Sequence, residues 1–304
     1  MKWLKGIGLF LVANFLIYLT LSFTANLLVN VVLPAFGIDV RGIYSQQLLV
    51  WSLVIGFGGA FISLAFSKQM ARAMLDCEQI TQPRSHAEQV IYGSVQEIAQ
   101  RLHITMPEVW VYASPDPNAF ATGPSKNNAM VAVSTGLLQN LKEDEVKAVL
   151  AHEMGHVFNG DMFTTTVLAG LMNTFVHYIS NFVSQLIAQP SQDREEGSAG
   201  NPFLAMIVYI VLQVVLTLLA SIVIGWHSRH REYAADAFSA KVYGKDSMIA
   251  ALRGIDRWVN RTQFEYSGQD ALATMKISGN SSGFMHLFAS HPPIEDRIAA
   301  LERL

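Results

Sequence analysis

The stretch Leu150-Ala151-His152-Glu153-Met154-Gly155-His156-Val157 decides the fold, because it sets an HExxH motif inside a run that otherwise reads as an amphipathic helix. A four-residue step places both imidazoles on one helix face, where they can bind one Zn²⁺ while Glu153 reaches a water beside it. The pattern predicts a zinc hydrolase, most readily a peptidase. HExxH also occurs in unrelated helices as an exposed cluster of acid and base, so the flanks carry weight. Leu141, Val146, Val149, Leu150, Met154 and Val157 recur at near-helical spacing, predicting a helix over 142–159. Glu143, Asp144 and Glu145 crowd its first turn, where the macrodipole favours anions, and Asn159-Gly160 supplies a stop.

A third protein ligand must come from elsewhere. The metzincin pattern would need a glycine at position 159 and a histidine at position 162, where Asn159 and Met162 stand. Further along, Arg231-Glu232-Tyr233-Ala234-Ala235-Asp236 puts Glu232 and Asp236 at i and i+4 on one helical face. Alone, that pair reads as a solvated face beside Arg229 and Arg231. Beside HExxH it suits a His₂Glu site, with Glu232 as third ligand and Asp236 accepting a hydrogen bond from a ligand histidine.

The HEMGH run, the REYAAD run and Ser290-His291-Pro292-Pro293-Ile294-Glu295-Asp296-Arg297, in this order, resemble the HtpX heat-shock membrane metalloproteases, relatives of the CAAX-prenyl endoproteases. The resemblance spans nearly the whole chain and includes residues 118–123, which match the stretch before the family's active-site edge strand. It implies an integral membrane α-helical protein with four spanning helices and an α+β zincin-like (gluzincin) domain, holding one Zn²⁺ per chain. It implies a metalloendopeptidase of the bacterial inner membrane that degrades misfolded membrane proteins under stress, with a functional link to an AAA-type membrane protease. Asn118, Ala119 and Phe120 become candidates for substrate contact, though Phe120 read without the resemblance is a core residue. His291 and Arg297 become candidates to stabilise the oxyanion, on a segment stiffened by Pro292 and Pro293. His291 could instead be an inhibitory fourth ligand, and Arg297 could pair with a carboxylate such as Asp236 to pin the last helix.

Composition supplies the other half of the reading. With 304 residues, 51% hydrophobic and 15% charged, and a mean hydropathy of +0.29, the chain is too apolar for an ordinary soluble enzyme. The runs Ile7 to Val32, Leu48 to Phe66, Met162 to Ile187 and Phe203 to Trp226 carry no acid, lysine or arginine and approach or exceed the ~20 residues a spanning helix needs. The first exceeds a secretory h-region and reads as a retained anchor. Lys2, Lys5, Lys68, Arg72, Arg229 and Arg231 flank one side, against Arg41 and Arg194 on the other, predicting both termini in the cytoplasm. The expected organisation is two spans in 1–66, a cytoplasmic part in 67–161, two spans in 162–226, and a second cytoplasmic part in 227–304 that completes one catalytic domain. The metal would then lie close to the membrane surface.

Within the spans, Asn173, His177 and Asn181 form one polar stripe and Gln213, Thr217 and Ser221 another. The simpler reading is interhelical hydrogen bonding; the sharper one is a substrate cavity. His177 lies roughly five turns beyond His156, too far for the same ion. Ser52, Gly56 and Ala60 make a small-residue face suited to close packing.

The soluble part reads as a helix over 84–103 followed by short strands at Val109 to Tyr112 and Met130 to Val133, with turns at Pro115, Pro117, Gly123 and Pro124. The second strand is expected to be the exposed edge that pairs with a substrate in β form. Residues 278–283, rich in Gly and Ser, read as a loop or lid. In the expected mechanism zinc polarises the scissile carbonyl while Glu153 takes a proton from water and passes it to the leaving amine. Cys77 is alone, so no intrachain disulfide and no cysteine zinc site exist. A net charge of -3 leaves no basic stripe for nucleic acid. The partners implied are misfolded membrane proteins and the lipid bilayer, with no oligomeric state assigned. Three other classes compete: an intramembrane protease, which the charges at Lys142 to Lys147 argue against; a membrane metal transporter built on His177; and a non-catalytic zinc-binding scaffold.

Overall fold

The computed structural model describes residues 33–35, 46–75, 77–188, 201–266 and 291–304, with isolated positions between 23 and 31. Almost all of the first apolar run, the loop carrying Arg194, the stretch 278–283 and His286 lie outside the described residues. In chain order, after a helical turn at Leu33–Ala35, the elements are α1 (Gln46–Ala65), α2 (Ser67–Leu75), β1 (Glu78–Gln79), α3 (His86–Arg101), β2 (Glu108–Tyr112), β3 (Ala119–Ser125), β4 (Asn128–Ser134), α4 (Thr135–Asn140), α5 (Glu143–Asn159), α6 (Asp161–Ala188), α7 (Pro202–Tyr243), α8 (Lys245–Tyr266) and α9 (Ile294–Glu302). They fall into two compact units, residues 1–61 with 167–220 and residues 62–166 with 221–304.

In the first unit, α1 and α6 meet through small residues. A Cβ added at Gly56 would come 2.4 Å from Oγ1 of Thr174, and one added at Gly170 would come 2.5 Å from the Phe57 ring. Ser52 is buried on the same face. The small side chains therefore let the helices approach until dispersion contacts form, the association that works where lipid removes the hydrophobic drive. The polar stripes meet as well. Gln213 Nε2 lies 3.1 Å from Nδ1 of His177, and Ser184 Oγ donates to the Ala205 carbonyl at 2.9 Å. Both join α6 to α7, but only the first links the two stripes, in line with the simpler of their two readings.

Among the described residues, two helices are long and apolar enough to cross a membrane, Gln47–Ala65 and Pro202–Tyr243. The expected third run is helical throughout as part of α6, but Asn173, Thr174, His177, Ser180 and Asn181 dilute its apolarity. The fourth run and the REYAAD segment form one unbroken helix, α7, whose apolar part ends at Trp226 and whose charged part, from His227 on, belongs to the second unit.

The second unit is built on a four-stranded sheet of order β1-β2-β4-β3. Strand β4 pairs parallel with β2, Glu108 opposite Met130 and Tyr112 opposite Ser134, and antiparallel with β3, Ala119 opposite Val133 and Thr122 opposite Met130. Residues 129–134 are buried without exception, as a strand covered on both sides must be. The expectation that Met130 to Val133 forms the edge is thus corrected: β4 is central, and the edges are β1 and β3. Gly123 and Pro124 read as turn residues in the sequence, yet they lie inside β3. The physical reason is that an edge strand tolerates a missing donor, and that β3 departs from regular register between Thr122 and Ser125.

Helix α3 begins at an N-cap, Ser85, whose Oγ accepts from the Glu88 amide at 3.2 Å, and it buries Ile91, Val95, Ile98 and Ala99. These side chains join Val109, Val131 and Val133 of the sheet and Val146, Val149, Leu150 and Met154 of α5 in the main core. Helix α5 starts with one half of a capping box, in which Oε2 of Glu145 accepts from the Lys142 amide at 2.9 Å. It ends at Gly160, whose φ of 71° is the left-handed conformation that frees the chain to start α6 at once. A smaller cluster of Ala148, Met248, Leu252 and Leu301 fastens α8 and α9 to the other side of α5.

Candidate active site

Three elements of the second unit bring the chemistry together. Helix α5 carries His152 and His156, which share one face by their spacing, and their rings meet edge to face with centroids 4.8 Å apart. Helix α7 brings Glu232 against them. Gly155 permits that approach: a Cβ there would already sit 3.2 Å from the Phe238 ring and 3.3 Å from Cα of Ala235. Ser239 locks the register, its Oγ donating to the Ala148 carbonyl at 2.7 Å in a fully buried bond. One ligand atom from each of His152, His156 and Glu232 lies within 4.8 Å of the other two. Nε2 of His152 is 3.5 Å from Oε2 of Glu232, Nε2 of His156 is 3.4 Å from Oε1, and the two Nε2 atoms are 3.2 Å apart.

The donor set fits a zinc ion. Nδ1 of His152 is 2.8 Å from Oδ1 of Asp236, and Nδ1 of His156 is 2.6 Å from Oδ2 of Asp161. Each carboxylate accepts the Nδ1 proton, which leaves both Nε2 lone pairs aimed at the same point. Two lone pairs converging beside a carboxylate favour a cation there. Oε2 of Glu232 is buried and accepts no well-formed hydrogen bond, so it too has ligating capacity to spare. Two neutral imidazoles and one carboxylate are the donors of catalytic zinc sites.

Residues 85–304 match the model of peptidase family M48. The chain is 44% identical over 300 residues to the Protease HtpX of Actinobacillus pleuropneumoniae serotype 5b, covering 99% of each. It is 43% identical over 288 residues to the Protease HtpX of Yersinia enterocolitica, covering 94% of this chain and 96% of that one. The chain belongs to peptidase family M48. A fold likeness extends to the crystal structure of S. mikatae Ste24p, with a TM-score of 0.56 at 18% identity over 95% of this chain. This chain spans 65% of that protein's length.

Within this M48 chain, Asp236 and Arg297 form a buried bidentate pair: Nε donates to Oδ2 at 2.8 Å and Nη2 to Oδ1 at 2.6 Å. The pair is the structural alternative that the sequence left open beside an oxyanion role for Arg297, and it ties α9 to His152 of α5 through Asp236. Nη1 of the same arginine also faces Oε2 of Glu232 at 3.4 Å. Burial pushes the Asp236 carboxyl up, but the Arg297 and His152 bonds outweigh it and hold the pKa at about 2. Burial likewise pushes Glu232 up, and the imidazoles of His152, His156 and His291 pull it far below the ordinary range. Nδ1 of His291 stands 2.8 Å from Oε2 of Glu232 on a side chain more than half exposed, so this histidine reaches the cluster from the solvent side.

Glu153 differs from its neighbours. Burial raises its carboxyl above the ordinary value and the Glu232 charge adds to the rise, while His152 and His156 work against both. A raised carboxylate pKa is what proton transfer near neutrality asks of a base. Asn118, Ala119 and Phe120 sit at the start of the edge strand, which packs beside α5. The Asn118 amide donates to Ser134 Oγ at 2.9 Å and its carbonyl accepts from the Ser134 amide at 2.9 Å. Phe120 packs on Tyr112 with ring centroids 5.8 Å apart and belongs to a satellite of the core.

Sequence reasoning missed Asp161 and the role of Arg231. Arg231 Nη2 lies 2.8 Å from Oδ1 of Asp161, and its Nη1 donates to Thr164 and Thr165. The signal was present: an acid directly after the left-handed Gly160 opens the next helix just past the second histidine. Its reach back to His156 depends on the turn made at Gly160.

Proposed function

We propose that the chain is a membrane-bound zinc endopeptidase that cuts misfolded or damaged membrane proteins on the cytoplasmic side. His152, His156 and Glu232 hold one Zn²⁺, with Asp236 and Asp161 fixing the two imidazole tautomers. The ion supplies Lewis acidity toward the scissile carbonyl and toward water. Glu153 receives the water proton and delivers it to the leaving amine. His291 and Arg297, both beside Glu232, are placed to meet developing negative charge, and His291 is equally placed to act as a latch. Strand β3, with Asn118, Ala119 and Phe120, holds the substrate extended through backbone hydrogen bonds, so cleavage tolerates many sequences.

The catalytic domain combines residues 67–161 with 227–304 at the inner face of a bacterial plasma membrane, below four spans with both termini cytoplasmic. The continuity of the apolar and charged halves of α7 supports a site near the lipid surface, since only a short stretch separates Trp226 from Glu232. Cooperation with an AAA-type membrane protease follows from the same reading. One observation carries the chemistry: two Nε2 atoms 3.2 Å apart, each with its Nδ1 bound to a carboxylate, facing a third carboxylate. Metal transport draws no comparable support, because His177 is engaged by Gln213. The test is zinc content and digestion of casein and of a membrane protein by the wild type and Glu153→Gln. One zinc per chain in both, with peptides released only by the wild type and abolished by a chelator, is the expected result; equal digestion by both would overturn it.

A further inference from the structure

Helix α2 is inside out for a soluble domain. Its charged side chains point inward: Lys68, 9% exposed, donates through Nζ to Oε1 of Glu108 and Oδ1 of Asn128, each at 2.7 Å. Arg72 pairs with the same Glu108 and lies over the Trp110 ring, 4.6 Å from its centroid. Ala71, between them, packs against the cluster of Tyr112, Met130 and Ala132. The apolar side chains point outward. Ile62, Phe66, Met70 and Met74 are 62%, 55%, 49% and 78% exposed. They fall at steps of four along turns that run through the break at Phe66, whose amide donates to the Ile62 carbonyl at 3.0 Å and whose carbonyl accepts from Met70 at 2.9 Å. At about 100° per residue, each step drifts only about 40°, so the four side chains share about a third of the helix circumference, opposite Lys68 and Arg72. The other residues on or beside that arc, Ser63, Ser67, Gln69 and Ala73, are all uncharged.

What covers this stripe follows from where it begins. Ile62 belongs to the apolar helix Gln47–Ala65, so the outward row starts inside a membrane-crossing segment and continues past its end. That helix by itself matches the ~30 Å hydrocarbon core at about 1.5 Å per residue. The residues from Phe66 to Met74 add about 13 Å of helix, more than the roughly 5–8 Å of one headgroup layer, so the face lies along that layer when α2 runs obliquely to the membrane. Methionine and phenylalanine facing outward, with both cations of the helix paired to Glu108 on its inner face, suit that layer.

We propose that the Phe66–Met70–Met74 face of α2 is a lipid-contact surface, seated at the acyl boundary of the bilayer, which clamps the catalytic sheet to the membrane through the Lys68–Glu108–Arg72 ion pairs. It rests on the reading of Gln47–Ala65 as a span. Because α2 packs on β3, the strand proposed to hold substrate is tethered to a lipid-seated helix. A chain leaving the bilayer then meets that strand before it reaches open water.

The test places nitroxide labels, one at a time, at Ile55→Cys, Met70→Cys, Met74→Cys and Arg101→Cys in a full-length Cys77→Ser protein reconstituted into phosphatidylethanolamine–phosphatidylglycerol vesicles. Collision rates with oxygen and with a water-soluble nickel chelate are read by electron paramagnetic resonance. Labels at 70 and 74 are expected to give an oxygen-to-nickel ratio several-fold above that at 101, approaching that at 55. Ratios at 70 and 74 equal to that at 101, with 55 still in lipid, would overturn the proposal while leaving the span intact. A water-like ratio at 55 as well would remove the span and the proposal with it. Spin–spin broadening at 70 or 74 that vanishes on dilution with unlabelled protein would assign the face to a second copy of the chain and so overturn lipid as its occupant.

Discussion

The two histidines of α5 are served by two relays of the same design and different burial. His152 donates its Nδ1 hydrogen bond to Asp236, which is clamped by Arg297, on side chains 6%, 3% and 10% exposed. His156 does the same through Asp161 and Arg231, on side chains 17%, 11% and 14% exposed. The first relay gathers α5, α7 and α9, residues distant in sequence. The second uses an acid from the start of the next helix and an arginine beside the third ligand. The difference teaches that one relay is a structural clamp as well as a tuning device, whereas the other chiefly tunes. A buried ion pair contributes little net stability when intact but is costly to break, because the surviving charge has nowhere to go.

Both relays converge on Glu232, so its loss is expected to have the largest effect. Glu232→Ala should bring zinc content per purified chain to background and abolish peptide release, read by metal analysis and a casein assay. Retention of zinc would separate the relays from any metal function. Next, Arg297→Ala should destabilise the fold by ~3–5 kcal/mol by leaving Asp236 buried and unpaired. Arg231→Ala should destabilise it less, by ~1–3 kcal/mol, since Asp161, although buried, keeps its bond to His156. Thermal unfolding in one detergent compares them, and equal shifts would break the distinction. Asp161→Ala should weaken zinc binding by roughly 10–100-fold in a chelator competition.

The smallest effect lies outside both relays and serves as their reference. Burial pushes the Glu108 carboxyl up, but bonds from Lys68 and Trp110 and the charges of Lys68 and Arg72 outweigh it, leaving the pKa below 4.5. A folded-state pKa below the unfolded one contributes stability above the unfolded value, and that contribution is lost as pH falls through the folded value. The thermal midpoint of the wild type should therefore fall more steeply below pH 4.5 than that of Glu108→Gln. Parallel acid limbs in the two proteins would show that the Lys68–Glu108–Arg72 cluster carries no such linkage.

Much of the site is local and could be read before any fold was known. The i, i+4 step of His152 and His156, the acid-rich start of α5 and its glycine stop follow from helix geometry alone. Glu232 and Asp236 share a face for the same reason. Strand order was less legible: β4 is apolar and bounded by turns, which fits a central strand and an edge strand equally, and only its pairing on both sides separates them. The turn residues inside β3 hid the true edge because Pro124 marks a turn and an unpaired strand margin alike.

What the sequence determined by itself is therefore periodic or compositional: apolar runs, one helix face with two imidazoles, one acidic helix face, and a motif order resembling a known family. Tertiary structure decided which carboxylate meets which imidazole, which way Arg297 turns, that Asp161 reaches back to His156, and that α2 wears its apolar side outward. Helix arithmetic fixes neighbours three and four residues apart without help from the rest of the chain. Partners eighty or more residues apart are fixed by how closely backbones can approach, and here that depends on side chains as small as Gly155 and on bonds as buried as Ser239 to Ala148.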